Sequence, residues 1–447
     1  MGRRLGGGRG AALAVGAALC VTGVLPPAQT VAAGASSPYG FAEDAETIDG
    51  ATSNAAGHRL SPGKSYLSSL PRAGQRFYRL ELTAEESAYV AVTAVPGVAE
   101  KVSYADGLKV SVQDADGANC SPREARKARF GASESPRPVT ATAARRVGPD
   151  ERSCAGAGTY YVLVERMSDP ESSRRDWGLE LRVATEPALR SAGATRAPRS
   201  WNSATPAPRT GERKSRAGGP GFSGARALGT GVWGDRIAPG RTLFYRVPVD
   251  WGQRLSVGAE LGSSSGRGER NGAVRGSGRG KGYVSSALVV ALSNPVRAEV
   301  EDEDTAYDGK QKSVRLDPLP PVAYENRFAP ADRVAAVRFA GWYYLSVHLS
   351  PRVAEVSGEG PLDLTLRISV EGAARPGPAY AGSPIPAGEF GVTEGDDDDD
   401  TAMVVLAVGG IGTGAGLLGV LGVWTLVARR RATLFAVRAG SGPTRRR

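Results

Sequence analysis

The sequence predicts an all-β protein, two tandem β-sandwich modules followed by a single transmembrane helix near the C-terminus. Three observations carry this. Short segments alternate apolar and polar residues with period two, a set of such segments occurs twice in the same order, and residues 401–428 form a run of 28 without a charge.

Period-two alternation places every second side chain on one face of a strand, so one face is buried and the other is wet. In residues 108–113, Leu108, Val110 and Val112 take one side while Lys109, Ser111 and Gln113 take the other. A Phe-Tyr-Arg strand entered from a glycine turn occurs at residues 77–79 and again at 244–246, and each leads through a polar corner into a second strand. Gly158-Thr159-Tyr160-Tyr161-Val162 is echoed by Gly341-Trp342-Tyr343-Tyr344-Leu345, and closing strands follow at 177–183 and 362–370. The repetition reads as a tandem duplication. With Gly, Pro and Asp turns and almost no helical periodicity, each copy reads as a sandwich of about seven or eight strands. The first module takes residues 57–185, and the second takes 221–372 with a Gly/Ser/Arg-rich insertion at 262–282. A chain of 447 residues has room for two cores, since single cores stop growing at roughly 250 residues.

The ends of the chain read as export and anchoring signals. Residues 1–33 pass from a basic start through an apolar stretch to Val31-Ala32-Ala33, the pattern of a signal peptide cleaved after Ala33, with a short linker at 34–56. Cys20 falls inside that peptide, and Leu19 before it departs from the small residue a lipoprotein site needs. Residues 401–428 exceed the roughly 20 needed to cross a hydrocarbon core. Five aspartates at 396–400 stand on one side and Arg429, Arg430 and Arg431 on the other, which orients the tail at 429–447 towards the cytoplasm. The expected location is therefore the cell membrane, single-pass type I, with the bulk of the chain outside. Gly410 with Gly414 and Gly412 with Gly416 make small-xxx-small patterns, read either as a homodimer contact in the membrane or as ordinary glycine content of such a helix. Linkers at 186–220 and 373–400, rich in Pro, Gly, Ala and charge, read as extended spacers.

The net charge of +10 excludes less than it suggests until it is located. Arg3, Arg4 and Arg9 have no acid near them in the signal segment, and the tail carries seven arginines and no acid, which leaves the middle of the chain balanced. A nucleic-acid footprint needs the charge on the folded domain, so nucleic acid is not an expected partner. Only eight of the 56 basic residues are lysine, a bias that points to a GC-rich, actinobacterial-type genome.

The segment order, with Gly107-Leu108-Lys109-Val110-Ser111-Val112-Gln113-Asp114-Ala115-Asp116-Gly117 and Gly158-Thr159-Tyr160-Tyr161-Val162-Leu163-Val164, resembles the bacterial pre-peptidase C-terminal domain. The first module carries the better match and the second a weaker one. The resemblance implies jelly-roll-like sandwiches serving as non-catalytic accessory or adhesion modules; some members bind collagen and calcium. The protease that such domains usually accompany is missing from this sequence.

Candidate chemistry is sparse. Cys120 and Cys154 remain after signal removal, and two cysteines in an exported module pair as a disulfide, closing a loop at 121–153 with no visible strand pattern. Asp114, Asp116 and Asn119 have the alternate spacing of calcium ligands, a use the resemblance favours, while Asp-Gly is also a common hairpin turn. No other cofactor is expected. The acidic run at 301–304 reads as a solvated loop. Gly262-Ser263-Ser264-Ser265-Gly266 fits a nucleophile-elbow pattern without the flanking strand and helix, Gly282 after Gly280-Lys281 breaks a phosphate loop, and His58 and His348 show no nucleophile in sequence. Tyr160, Tyr161, Trp342, Tyr343 and Tyr344 read as core residues or a sugar platform, and Arg196, Arg199, Arg209, Arg213, Lys214 and Arg216 as solubilising or anion-holding cations. The sum is a non-catalytic, membrane-anchored extracellular binding or scaffolding protein contacting wall polymer or another envelope protein. The alternative is a ligand-sensing or secretion-accessory protein working through transmembrane helix association.

Overall fold

Alternating segments become strands, and among the described residues ten of them form in each half of the chain. In the first half they are β1 (Glu46–Thr47), β2 (His58–Arg59), β3 (Ser65–Leu70), β4 (Gln75–Leu82), β5 (Glu86–Val95), β6 (Gly107–Gln113), β7 (Lys127–Arg129), β8 (Val139–Arg145), β9 (Gly158–Met167) and β10 (Trp177–Pro187). In the second they are β11 (Arg213–Ser215), β12 (Arg226–Ala227), β13 (Gly231–Ile237), β14 (Thr242–Val249), β15 (Arg254–Leu261), β16 (Val284–Ser293), β17 (Glu299–Tyr307), β18 (Lys312–Arg315), β19 (Gly341–Leu349) and β20 (Leu362–Glu371). The computed structural model describes residues 39–390 apart from 73, 98–99, 121–126, 149–153, 192, 265–281 and 388–389. The signal segment 1–33, the apolar run 401–428 with its four glycines, Arg429 to Arg431 and most of the 262–282 insertion lie outside the described residues. Among the described residues no helix is long and apolar enough to cross a membrane.

The strands make four five-stranded sheets. The first half holds β1-β3-β10-β5-β8 facing β2-β4-β9-β6-β7, and the second holds β11-β13-β20-β15-β18 facing β12-β14-β19-β16-β17. Adding ten to each strand number converts one half into the other, so the repeat seen in sequence is a repeat of topology. Register agrees as well, with Tyr78 of the first Phe-Tyr-Arg strand opposite Val162 and Tyr245 of the second opposite Leu345. The strand count exceeds the expected seven or eight because each half opens with two strands of only two or three residues, laid parallel on β3, β4, β13 and β14. Among the described residues all the other strand pairings are antiparallel, including those of the edge strands β7 and β18.

Each sandwich has its own apolar core. Leu80, Val92, Val110, Val162 and Leu181 fill the first, and Val247, Val257, Val290, Leu345 and Leu366 the second. Burying each such side chain stabilises by about 1.5–3 kcal/mol. The repeated tyrosines cross these cores with their polar tips satisfied: Tyr78 donates to Ser68 Oγ on the facing sheet at 2.8 Å and Tyr245 to Asp235 Oδ2 at 2.7 Å. Trp177 is fully buried, donates its indole N–H to Glu100 at 3.1 Å and carries the Arg166 guanidinium over its ring at 3.7 Å. Gly107 is required by close approach, since a Cβ there would lie 1.8 Å from the Ala128 carbonyl oxygen.

Two expectations are corrected. The 121–153 segment contains the seven-residue strand β8, whose apolar face is alanine and valine and therefore too faint to read as a pattern. The acidic run 301–304 is not a loop but part of β17, the edge strand of its sheet, where carboxylates discourage pairing with another chain.

The Cys120–Cys154 disulfide forms, with Cα atoms 5.4 Å apart. Beside it Arg145 is fully buried, and its five N–H donors have five carbonyl acceptors: Thr83, Glu86, Cys154, Ala155 and Gly156. Tyr160 adds its hydroxyl to the Cys154 carbonyl at 2.8 Å. A lysine has three donors and no fork, so Arg145→Lys leaves buried carbonyls bare. The expected loss is about 3 kcal/mol in denaturant unfolding, and a change within the scatter of surface substitutions, about 0.5 kcal/mol, contradicts this account of the corner.

Candidate functional site

The residues singled out in sequence mostly serve the fold. Asp114 spends Oδ1 on its own turn, accepting the N–H groups of Asp116 at 3.1 Å and Ala118 at 2.8 Å, while Gly117 takes a left-handed φ of 81°. This hairpin bridges Gln113 to Asn119 and sets Cys120 against the Val112 carbonyl. Among the described residues no group of three or more His, Cys, Asp or Glu is arranged to hold a metal ion. Tyr160 and Tyr343 point into the cores, Tyr344 packs on Phe222, and Trp342 is covered by Arg246 at 4.4 Å. Several linker cations are wired down. Arg213 donates to the Leu364 carbonyl at 2.9 Å, and Lys214 and Arg216 lie over the Trp233 ring.

What the sequence did not reveal is the junction between the sandwiches. The outer face of the β5-β8-β10 region is dry: β5 is buried at nine successive positions. Tyr89, Ala144 and Ala184 meet Val296, Phe339 and Phe390 there, with Tyr89 and Phe339 ring centroids 5.2 Å apart. A second cluster joins Tyr39 and Val95 to Phe222, Ala225 and Phe244. Two carboxylates on β10 are sealed under these contacts. Glu180, 0% exposed, pairs with Arg297 and also accepts from Tyr39 at 3.2 Å and the Ala42 N–H at 2.9 Å. Glu186 pairs with Arg327 at 2.7 Å and accepts from Tyr89 and Tyr380 at 2.8 Å each. Burial alone would raise the Glu186 carboxyl, but Arg327 and the two phenols outweigh it and hold it below the usual carboxylate range. Burial likewise would lower Arg297, and Glu180 reverses the direction.

His348 acquires at this junction the partner that sequence could not supply. Its Nε2 lies 2.7 Å from Ser135 Oγ of the other sandwich and its Nδ1 2.9 Å from Thr242 Oγ1. The arrangement resembles a nucleophile and base, yet Ser135 is 1% and His348 2% exposed. Burial, with Arg137 second, pushes the imidazole down to about 3, too weak a base to take a hydroxyl proton near neutral pH. A neutral imidazole carries one N–H, so one ring nitrogen accepts from a hydroxyl, and the trio is a polar clasp across the junction. Beside it a cavity of about 230 Å³ is lined by Lys127, Arg129 and Arg137 from one sandwich and Glu299 and Asp302 from the other.

A larger groove, about 730 Å³, opens where the two linkers lie on the second sandwich. Residues expected to be extended spacers are paired instead: Thr185 with Ile385 and Leu189 with Tyr380, so the chain leaving β20 returns to the end of β10. Arginines anchor the first linker by its carbonyls, Arg254 to Asn202 at 2.8 Å, Arg315 to Pro206 at 2.6 Å and Arg367 to Arg209 at 2.7 Å. Trp251, 8% exposed, floors the groove, and Trp201 and Tyr324 line its walls among prolines. Gly377 is needed beside the floor, since a Cβ there would meet the Trp251 indole nitrogen at 2.5 Å. A concave site of this size with aromatic walls and a few polar groups is the usual form of a ligand pocket.

No protein-family model and no curated protein matches the chain. Among solved structures, the CUB1-EGF-CUB2 domain of human MASP-1/3 is 9% identical, covering 68% of this chain and 99% of its own, with a TM-score of 0.17. Tripeptidyl peptidase 2 is 8% identical over 74% of this chain and 26% of its own, TM-score 0.19. The CBM22-1–CBM22-2 tandem domain of Paenibacillus barcinonensis Xyn10C is 8% identical over 70% and 93%, TM-score 0.16. Similarity this slight carries no argument about ligand or activity.

Two predictions test the junction. Glu180→Ala strands Arg297 and is expected to cost about 3–5 kcal/mol, while Glu180→Met combined with Arg297→Met recovers most of it; calorimetry of the full chain reads both. Equal losses in the single and double variants would mean that the pair itself matters little. His348 is neutral in the fold and titrates near its ordinary 6.5 when unfolded. Its contribution is therefore complete above pH 6.5 and falls as the pH drops from there towards 3, by up to about 1.4 kcal/mol per pH unit. In unfolding midpoints measured from pH 7.5 to 4.5, His348→Asn is expected to flatten the decline; an unaltered slope refutes the assignment.

Proposed function

We propose that the chain is a non-catalytic binding and scaffolding protein of a bacterial envelope, held in the cell membrane as a single-pass type I protein with both sandwiches outside. The observation that carries the binding part is the groove over Trp251, a concavity of about 730 Å³ floored by an indole. The one serine–histidine contact described above is shut away from solvent, which supports a binding role over an acyl-transfer one. Anchoring rests on the uncharged run at 401–428 with acids before it and arginines after it. The segment pattern shared with pre-peptidase C-terminal domains supports an accessory role, and the locked junction suits a scaffold that presents its sites in one fixed orientation.

Two measurements on the full-length protein test this. An epitope placed after Arg447 is expected to survive protease added to intact cells while the body is digested. Loss of the epitope with the body spared reverses the orientation, and release of the mature chain into the medium removes the anchor. Detergent-solubilised protein is expected to be retained by isolated cell envelopes at low salt, and passage of folded protein through them removes the binding role.

A further inference from the structure

We infer that the groove over Trp251 binds an acidic glycan, with sugar rings laid on Trp201 and Tyr324 above the buried Trp251 floor and carboxylate or phosphate substituents held by Arg199 and Arg375. This rests on the reading of the chain as an envelope-binding protein and adds the site and its ligand class.

The backbone that carries the aromatic side chains is held in place before any ligand arrives. Trp201 sits on a turn fixed from both sides: the Asn202 carbonyl accepts from Arg254 at 2.8 Å, and Asn202 Oδ1 accepts the Ala204 N–H at 3.0 Å. Trp251 is fixed by the Gly252 N–H donating to the Val322 carbonyl at 2.8 Å and by its own carbonyl accepting the Arg375 N–H at 2.9 Å. Tyr324 carries the Arg327 guanidinium at 3.4 Å and still lines the groove. Rings carried on a backbone fixed in this way bind planar or chair-shaped partners with less loss of entropy than rings on a free loop.

The occupant follows from what surrounds the rings. Both wall segments are coil rich in Pro, Gly and Ala, so an extended peptide would find no strand edge to pair with. Sugar rings have apolar C–H faces for the indoles and hydroxyls for amides and guanidinium groups. Two arginines line the groove against one acid, Glu325, and Arg196 is exposed on the same linker. That balance favours an anionic chain, and the planar guanidinium matches carboxylate or phosphate oxygens in a fork. The Arg375 stem lies against Gly252, where a Cβ would come within 2.8 Å of it, which keeps this cation next to the Trp251 floor.

The test uses the full-length protein in phosphatidylcholine nanodiscs and titration calorimetry with four probes: a galacturonic acid hexamer, maltohexaose, inorganic polyphosphate and decaproline. The acidic hexamer is expected to bind, and maltohexaose to bind at least about tenfold more weakly. Trp201→Ala and Arg375→Ala are each expected to weaken the hexamer by about tenfold, the size of one lost stacking or charge-assisted contact, with melting temperature unchanged. No hexamer binding by folded protein, equal binding of polyphosphate, or indifference to both substitutions overturns the inference. Decaproline binding more tightly than the hexamer would give the groove to a peptide and overturn it too. Envelope retention separates the two readings: if wild type and Trp201→Ala are retained alike while the hexamer fails, the site is wrong and the binding role stands. If the hexamer binds and envelopes retain nothing, the groove stands and the envelope role falls.

Discussion

The structure depends on drying the outer face of one β-sheet. In a free sandwich the outward residues of β5, β8 and β10 would face water, and two of them, Glu180 and Glu186, are carboxylates. Covering them with the second sandwich would be prohibitive without cations at the same depth, and the second sandwich brings Arg297 and Arg327 to meet them. Neither half is therefore finished alone. The N-terminal segment completes one pair through Tyr39 and the C-terminal segment completes the other through Tyr380, so both ends of the described chain are drawn into the same seam.

Much of the fold was legible in the sequence because strands with one buried face write their period into the chain. The Phe-Tyr-Arg and Gly-Thr-Tyr-Tyr-Val segments fell in matching register, with Tyr78, Tyr160, Tyr245 and Tyr343 inside. Strand β8 escaped notice because its core residues are mostly alanines, which mark burial weakly. Strand β17 escaped because an edge strand carrying Glu301, Asp302, Glu303 and Asp304 has the composition of a loop; only its pairing with β16 reveals it. The seam was invisible for a different reason. Glu180 and Glu186 occupy positions where alternation calls for polar residues, and nothing local distinguishes a wet carboxylate from one whose cation lies over a hundred residues away. In hindsight the uncharged outward positions of β5, Tyr89, Ala91, Thr93 and Val95, were the available signal.

The candidate site was less legible than the fold. Attention fell on aromatic residues adjacent in sequence, and adjacency in a strand sends one ring inward, as Tyr160 and Tyr343 show. Trp201 and Trp251 are fifty residues apart, one in a proline-rich linker and one in a turn, and come together only because arginines seize the linker by its carbonyl oxygens. Nothing local in the sequence marks Arg254, Arg315 and Arg367 for this task. Their role is structural, since the guanidinium fork can hold a chain that has no hydrophobic pattern of its own.

The return of the chain after β20 to lie beside the end of β10 has a mechanical meaning. A pull applied beyond residue 390 would first load Phe390 in its cluster with Tyr89 and Phe339, then the short ladder between 185–190 and 380–385 and the Tyr380 phenol, and would reach the two cores only after these opened. Because the ladder also forms a rim of the groove, tension and occupancy would act on the same few backbone contacts. A grip that tightens the rim would resist peeling, and a strong enough tug would loosen the grip.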